Sequence, residues 1–191
     1  VREEFGIKKN EFLIGTFGNF FPTKGHRFLL DAVSLLIERY PNIRLLFVGS
    51  GGEEGRLADY VVKTGLKGKV IFAGFRKDVA ACIKACELVV HPSLSEAFCQ
   101  VLIETMSVGT PLISTDVGGA KEVIENGVTG TLVPAADPKS LATAIEGVLK
   151  DPAKARTMAN AGQSFVRNTF TLERMIDEQY KLYCDWLGMT V

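Results

Sequence analysis

The chain has 191 residues, enough for one domain with a full hydrophobic core. It is 47% hydrophobic and 23% charged, with 22 basic and 22 acidic side chains, so its charge does not favour nucleic acid or a membrane surface as a partner. The apolar stretches are too short to cross a bilayer, and the four cysteines match no zinc or thioredoxin spacing. We therefore expect a globular domain with free thiols in a reducing cytoplasm.

Apolar segments and helix-like segments alternate along the whole chain. The predicted strands cover residues 12–17, 43–48, 70–73, 88–90, 112–114 and 131–133. The predicted helices cover residues 26–39, 53–63, 77–85, 96–107, 120–124, 138–149, 153–166 and 172–187. Short apolar strands separated by helices indicate a parallel sheet buried on both faces. The predicted fold class is α/β, a doubly wound, Rossmann-like parallel sheet of about six strands with helices on both faces.

Glycines follow the carboxyl ends of several predicted strands. Gly18 follows the first strand, Gly49 the second, and Gly118 and Gly119 the fifth. Glycine lets the backbone turn sharply or come close to a ligand. Because these turns share one edge of the sheet, we expect them to border one common crevice.

Two glutamates, Glu96 and Glu104, follow the fourth predicted strand and lie eight residues apart. Ligands of open α/β sheets bind where a strand hands over to a helix, because free backbone N–H groups and the helix dipole meet there. Eight helical residues rise about 12 Å, so an elongated anionic ligand would lay its phosphates on the helix start and touch a carboxylate at each end. Two alternatives remain open: Ser93 to Glu96 also fits a capping box, and Glu104 also fits a solvated helix face.

Five segments carry glycine, proline and charged residues in a fixed order: GNFFPTKG at 18–25, FVGSG at 47–51, FAG at 72–74, HPSLSE at 91–96 with Glu104 behind it, and GTPLISTDVGG at 109–119. This ordered set resembles the C-terminal, donor-binding domain of GT-B glycosyltransferases of family GT4, the retaining "glycosyl transferases group 1". The resemblance covers residues 12–186, nearly the full chain. It implies that residues 1–191 form one nucleotide-sugar-binding domain, one half of a GT-B fold.

The resemblance also implies roles for individual residues. Glu96 would contact the donor sugar and Lys24 the diphosphate, and these two are the candidate catalytic residues. Glu104 would bind the ribose, and carboxylates do accept hydrogen bonds from vicinal hydroxyls. The other candidate binding residues are Gly18, Asn19 and Gly49 in the crevice, Phe75 and Arg76 beside the base, Phe98, Cys99, Val101 and Leu102 with backbone around the phosphates, and Gly118 and Gly119 near the sugar.

Three residues depart from the family pattern. Asn19 stands where the family normally has an arginine, so stabilisation of the leaving group should fall unless Arg27 or Arg76 replaces that charge. Ala97 and Cys99 stand where the family usually has glycines, which narrows the approach to the phosphates. Cys99 fits either a redox-sensitive thiol or a tolerated small residue. His26 and His91 lack a partner motif, and we expect both to be structural.

The resemblance predicts a glycosyltransferase of polysaccharide biosynthesis that uses a nucleotide-diphosphate sugar and retains the anomeric configuration. No cluster of Asp or His suggests a metal, so we expect metal-independent transfer and no cofactor. The chain begins at Val1 rather than Met, and we expect a fragment whose N-terminal acceptor domain is absent. The acceptor, a glycan or lipid, would bind through that domain, and the isolated chain would be inactive.

The same reading predicts no nucleic acid partner, no integral membrane segment and a cytoplasmic location, with the full-length protein peripheral at the inner membrane face. A non-catalytic nucleotide- or sugar-phosphate-binding module is the alternative function. A nicotinamide-dependent oxidoreductase is a third, weaker one, because Gly15 and Gly18 do not have the spacing of a dinucleotide fingerprint.

The last predicted helix carries an apolar stripe formed by Leu172, Met175, Ile176, Tyr180, Tyr183 and Leu187, with Trp186 beside it. Such a stripe must pack against another surface. Packing on this domain is the default expectation, and packing on a second domain is the alternative.

Overall fold

The computed structural model describes residues 1–189 and has one parallel sheet of six strands. The strands are β1 (Phe12–Phe17), β2 (Ile43–Val48), β3 (Val70–Gly74), β4 (Leu88–His91), β5 (Leu112–Thr115) and β6 (Thr131–Val133). Their order across the sheet is β3-β2-β1-β4-β5-β6, and every neighbouring pair is parallel. The predicted fold class and all six predicted strands are confirmed.

The helices are α1 (His26–Ser34), α2 (Glu54–Lys63), α3 (Val79–Lys84), α4 (Gln100–Val108), α5 (Ala120–Val123), α6 (Pro138–Lys150), α7 (Pro152–Thr169) and α8 (Leu172–Leu187). Helices α6 and α7 begin at a proline, and Asp137 and Asp151 accept hydrogen bonds from backbone N–H groups of their first turns. Within residues 1–189 no helix has the length and apolar character needed to span a bilayer.

Two hydrophobic clusters cover the two faces of the sheet. Because side chains alternate along a strand, Ile14 and Val90 belong to the cluster that contains α1 and α6, whereas Leu13 and Val89 belong to the cluster that contains α3 and α4. The four central strands are therefore buried between helices, as the short apolar runs predict, while the edge strands β3 and β6 are only partly buried.

The strand order reverses between β1 and β4, which lie side by side in the middle of the sheet. The chain leaving β1 goes to α1 on one face, and the chain leaving β4 goes to α4 on the other. The two connections diverge above the carboxyl ends of the strands, and in this class of sheet that divergence opens a crevice. The loops 18–25 and 92–99 border it.

Two helix boundaries differ from the prediction by about four residues or more, and the others differ by less. Helix α1 ends at Ser34 rather than at residue 39. The backbone beyond it forms tighter turns, in which the Leu36 N–H donates to the Val33 carbonyl three residues earlier. Helix α4 begins at Gln100 rather than at residue 96. The Leu94 N–H donates to Thr23, and the Ala97 carbonyl accepts from Gly119, so contacts with other loops hold this backbone out of a helix.

The default expectation for the last helix is wrong within the described residues. Cys184 is the buried residue of α8, while the apolar stripe faces outward. Ile176 is 53% exposed and Trp186 73% exposed. The rest of this domain does not cover the stripe.

Candidate functional site

The loops that follow β1 and β4 contact each other at the switch point of the sheet, where the strand order reverses. The Leu94 N–H donates a hydrogen bond of 2.7 Å to the Thr23 carbonyl. Gly25 has φ +64°, and a Cβ atom there would lie 2.0 Å from the Pro92 carbonyl oxygen. Only glycine fits this approach without moving backbone, and the approach brings Lys24 beside the loop that carries Glu96.

Lys24 and Glu96 form an ion pair in the crevice. The Lys24 Nζ lies 2.6 Å from Glu96 Oε1, and the two side chains are 26% and 11% exposed. Burial acts to raise the pKa of Glu96, but its hydrogen bonds, first that to His91, outweigh burial and lower the pKa to about 2. Glu96 is therefore a carboxylate at neutral pH, and an ammonium group lies next to it.

His91, which ends β4, contacts the same carboxylate. Its Nε2 atom lies 2.9 Å from Glu96 Oε1 and 3.2 Å from the Sγ of Cys99. Burial acts to lower the pKa of His91, but the hydrogen bonds to Cys99 and Glu96 outweigh burial and raise the pKa to about 9. We expected His91 to be structural, and the structure adds that its ring contacts the carboxylate of Glu96.

Ser93 also binds Glu96, but not as a helix cap. Its Oγ donates to Glu96 Oε1 over 2.8 Å. Because α4 begins four residues after Glu96, at Gln100, the carboxylate is not in the first turn of the helix and the capping-box alternative is wrong. Glu96 lies instead in a loop, held by three side chains that meet at one oxygen atom.

The start of α4 leaves backbone N–H groups near this loop. Cys99 is the N-cap residue, and its side chain makes no capping hydrogen bond. Val101 lies in the first turn, and the Leu102 N–H reaches back to the Cys99 carbonyl over 3.2 Å. Phe98 is 47% exposed at the same point. An uncapped helix N-terminus attracts anions, so this end of α4 is able to hold an anionic group.

The predicted glycines bring loops together around the crevice. A Cβ atom on Gly118 would lie 1.7 Å from the Glu96 carbonyl oxygen, and one on Gly49 would lie 2.0 Å from the Gly18 carbonyl oxygen. The Gly119 N–H donates to the Ala97 carbonyl over 3.2 Å. These glycines therefore place the backbone of neighbouring loops, including that of Glu96. Asn19 is exposed at the rim, next to Gly18.

Arg76 is tied to other acidic groups. Its guanidinium pairs with Glu4 and Asp78 and lies 5.5 Å from the centre of the Phe5 ring. Arg27 lies 5.0 Å from the centre of the Tyr60 ring and 3.9 Å from Asp31. Neither arginine makes a contact that replaces the charge absent at position 19. Phe75 is 75% exposed, so its ring is free to contact a ligand.

Glu104 lies apart from the ion pair. It is exposed on α4 and lines a groove of about 810 Å³ between α4 and the start of α8. Phe98 and Gln100 line the near end of this groove, while Phe170 and Met175 line the far side. Because Phe98 and Gln100 lie at the N-terminus of α4, the groove begins at that end of the helix. Glu104 is therefore accessible to a ligand that extends along the helix from its N-terminus.

His26 is buried at the base of the loop that carries Lys24. Its ring packs edge-on against Phe20, with 5.2 Å between the ring centres. Burial, followed by the charges of His91 and Lys24, lowers the pKa of His26 to about 4. Its neutral, packed ring agrees with the structural role expected from the sequence.

The sequence of this chain matches the family described as "Glycosyl transferases group 1" over residues 1–165. The chain belongs to this family. Its curated relatives include an uncharacterized glycosyltransferase of Methanocaldococcus jannaschii, 30% identical over 184 residues that cover 95% of this chain and 47% of the relative. The chain therefore spans about half the length of the curated relatives it matches.

Solved structures that are similar to this chain have the same fold. The Anabaena protein HepE in complex with UDP has a TM-score of 0.91 and 30% identity, with 96% of this chain and 51% of HepE covered. HepE has also been solved in complex with UDP-glucose. The C-terminal domain of a glycosyl transferase group 1 family protein from Francisella tularensis, 23% identical with a TM-score of 0.79, shares the fold over 90% of this chain and 93% of that domain. The GT-B glycosyltransferase fold expected from the sequence is confirmed.

Proposed function

We propose that this chain is the donor-binding half of a glycosyltransferase that moves a sugar from a nucleotide-diphosphate sugar to an acceptor. The pairing of Lys24 with Glu96 at the switch point of the sheet carries this proposal. It places one cation, one carboxylate and an uncapped helix N-terminus within a single crevice. The cation and the helix N-terminus suit a diphosphate, and the carboxylate suits the hydroxyls of a sugar ring.

Each group has a defined task in the proposed reaction. Lys24 and the N-terminus of α4 bind the diphosphate and offset the negative charge that grows on it as the bond to the sugar breaks. Glu96, held ionised, accepts hydrogen bonds from sugar hydroxyls. Glu104 accepts hydrogen bonds from the ribose, and Phe75 offers a ring on which the base stacks. HepE, with its UDP and UDP-glucose complexes, makes a uridine nucleotide the first donor to test.

We also propose that transfer retains the configuration of the anomeric carbon and that the diphosphate leaves without the help of a metal ion. Fewer observations support these two points. Lys24 supplies the positive charge that a metal ion supplies elsewhere, which supports departure of the diphosphate without one. Retention follows from the family resemblance alone.

The acceptor, a glycan or lipid, is proposed to bind the other half of the protein. The exposed apolar stripe of α8 supports a second packed domain, because about half the length of the relatives lies outside the part matched here. The 191-residue chain is expected to bind the donor weakly and to transfer no sugar.

The test of the proposed function is donor binding to the 191-residue chain. UDP-glucose, GDP-mannose and ADP-glucose are titrated and read by thermal shift, which rises with saturation of the native state. One of them should stabilise the wild type, and Glu96→Gln should weaken its binding at least tenfold. Lys121→Ala, which removes an exposed lysine paired with Asp116, serves as the control and should change nothing. A panel in which no nucleotide sugar stabilises the chain would refute the proposal.

A second candidate, a module that binds nucleotide or sugar phosphate without catalysis, is favoured by Asn19. The family arginine is absent there, and Arg76 is paired elsewhere. Asn19→Arg discriminates between the two. A gain of tenfold or more in diphosphate affinity would indicate a degraded site. Unchanged affinity, together with sugar transfer by the longer protein, would favour the enzyme.

A further inference from the structure

Three side chains of different chemistry meet beside the candidate site. The imidazole Nε2 of His91 lies 2.9 Å from Glu96 Oε1 and 3.2 Å from Cys99 Sγ, and the three atoms lie within 4.8 Å of one another. His91 and Cys99 are 3% and 5% exposed. Imidazole nitrogen, thiolate sulfur and carboxylate oxygen are the three donor types that zinc takes in proteins.

We propose that His91, Glu96 and Cys99 form a binding site for a zinc-class divalent cation, and that occupancy of this site blocks the donor sugar. The second half of the proposal rests on the proposed function, because it assumes that Glu96 binds the sugar. The first half stands on the donor set alone.

The two separations that involve His91 are close to those of a tetrahedral site. Bond lengths of about 2.0–2.3 Å place nitrogen and oxygen ligands about 3.3 Å apart, and nitrogen and sulfur ligands about 3.6 Å apart. The distances of 2.9 and 3.2 Å in this structure are about 0.4 Å shorter, so the donors must spread by a few tenths of an ångström. Glu96 lies in a loop rather than in the helix, which lets its side chain make this adjustment. Water or the Ser93 hydroxyl, 2.8 Å from Glu96 Oε1, would fill the fourth position.

The donor set selects among metals. Mg²⁺ and Ca²⁺ prefer six or more oxygen ligands, whereas a thiolate with an imidazole favours zinc, cobalt or cadmium. Cys99 binds as the thiolate and His91 as the neutral imidazole, so each releases a proton to solvent when the metal enters. The site depends on a cysteine that replaces a glycine of the family pattern, so it is a property of this chain rather than of the fold.

Lys24 limits the affinity and links the site to the donor. Its ammonium lies 2.6 Å from Glu96 Oε1, the same atom that would bind the metal. A cation must displace Lys24 from that oxygen, which makes the site weaker than a structural zinc site. A bound metal occupies the Glu96 carboxylate, which is then not available to the donor sugar. The metal also displaces Lys24, which we propose to bind the diphosphate.

Cobalt titration of the 191-residue chain tests the site without any donor. A bound thiolate gives Co²⁺ a near-ultraviolet charge-transfer band, and tetrahedral Co²⁺ gives intense visible bands. We expect both in the wild type and in Cys82→Ser, which alters a cysteine on α3 outside the cluster. We expect neither in Cys99→Gly, and we expect the charge-transfer band to disappear in Cys99→Ser. Circular dichroism checks that each variant is folded. Absence of the bands in the folded wild type, or their persistence in Cys99→Gly, would overturn the site.

Donor binding with and without Zn²⁺ tests the consequence. Zn²⁺ should raise the Kd for the donor at least tenfold in the wild type and less than twofold in Cys99→Gly, and Mg²⁺ should change neither. If the cobalt bands appear but Zn²⁺ leaves donor affinity unchanged, the blocking role is refuted. If no donor binds even in EDTA, the proposed function fails while the cobalt result still decides the metal site.

Discussion

The Lys24 ammonium lies 2.6 Å from a carboxylate oxygen of Glu96, although 72 residues separate the two along the chain. Lys24 follows β1, Glu96 follows β4, and these strands are neighbours at the switch point of the sheet. If the donor binds there as we propose, it exchanges this ion pair for its own contacts, with Lys24 turning to the phosphates and Glu96 to the sugar.

Removal of the Lys24 ammonium should weaken diphosphate binding selectively. Lys24→Ala is expected to lower affinity for a nucleoside diphosphate by about tenfold or more, which is about 1.4 kcal/mol, because one charge-assisted contact is lost. The affinity for the parent nucleoside should stay within twofold. Calorimetric titration of both ligands measures the difference, and Lys77→Ala, an exposed lysine after β3, is the control. Equal losses for diphosphate and nucleoside would place Lys24 outside the diphosphate site.

Glu104 should recognise the ribose rather than the phosphates. Glu104→Ala is expected to lower the affinity for a ribonucleoside diphosphate by about tenfold, since two hydrogen bonds from ribose hydroxyls to the carboxylate are lost. It should leave the 2′,3′-dideoxy analogue unaffected, because that ligand lacks both hydroxyls. Competition binding with the two ligands compares them, and Glu38→Ala, an exposed glutamate after α1, serves as the control. A matching loss for the dideoxy analogue would contradict the assignment.

Gly118 should tolerate no side chain. It has φ +51°, and an added Cβ would lie 1.7 Å from the Glu96 carbonyl oxygen, so backbone must move. Gly127 has φ +80° with nothing within 4 Å, which makes Gly127→Ala a control for the backbone strain alone. We expect Gly127→Ala to cost about 1–2 kcal/mol of unfolding free energy and Gly118→Ala about 3 kcal/mol or more. Urea denaturation measures both, and equal losses would show that the contact with Glu96 is unimportant.

Stability should fall in mild acid because of His26. Burial, with the charges of His91 and Lys24, lowers the pKa of this ring from 6.5 to about 4. Between these values the unfolded chain binds a proton that the native chain does not, so the free energy of unfolding decreases as pH falls through this window. Below pH 4 the free energy of unfolding should be about 3 kcal/mol lower than above pH 6.5 because of this one group.

Unfolding of the wild type and of His26→Gln at several pH values isolates this contribution from that of the carboxyl groups. The variant loses the packing of the ring against Phe20 at every pH, but its stability should depend less on pH between 6.5 and 4. Identical pH slopes for the two proteins would show that His26 ionises in the native state as it does in the unfolded chain.

The sheet could be predicted from the sequence because its physical cause is local. Runs such as Leu88–Val90 are apolar on both faces, and a strand covered by helices on both sides requires that pattern. The glycines after the strands predicted one common crevice, and the structure adds which loops approach one another there. Glu96 and Lys24 were identified from motifs, and the order of the strands brings them together.

The rest depends on contacts between distant residues. Residues 96–99 read as the start of a helix, but hydrogen bonds with Thr23 and Gly119 hold residues 94–97 in a loop. His91 begins the HPSLSE segment, but that segment did not assign the histidine a contact with Glu96. A usable signal was its position as the last residue of β4, with Glu96 and Cys99 five and eight residues farther on. The direction of the α8 stripe could not be derived, because periodicity identifies an apolar face but not what covers it.

The α8 stripe should contribute to stability only when a second domain covers it. Trp186 is 73% exposed, so Trp186→Ala is expected to change the unfolding free energy of the 191-residue chain by less than about 0.5 kcal/mol. Leu30 is fully buried, and Leu30→Ala should cost about 2–5 kcal/mol as a control for a core site. In the longer protein that we propose, Trp186→Ala should be destabilising by about 2 kcal/mol or more, because burial of an aromatic side chain is worth that much. Denaturation of both forms makes the comparison, and an equal, small effect in the longer protein would show that the second domain leaves this face of α8 uncovered.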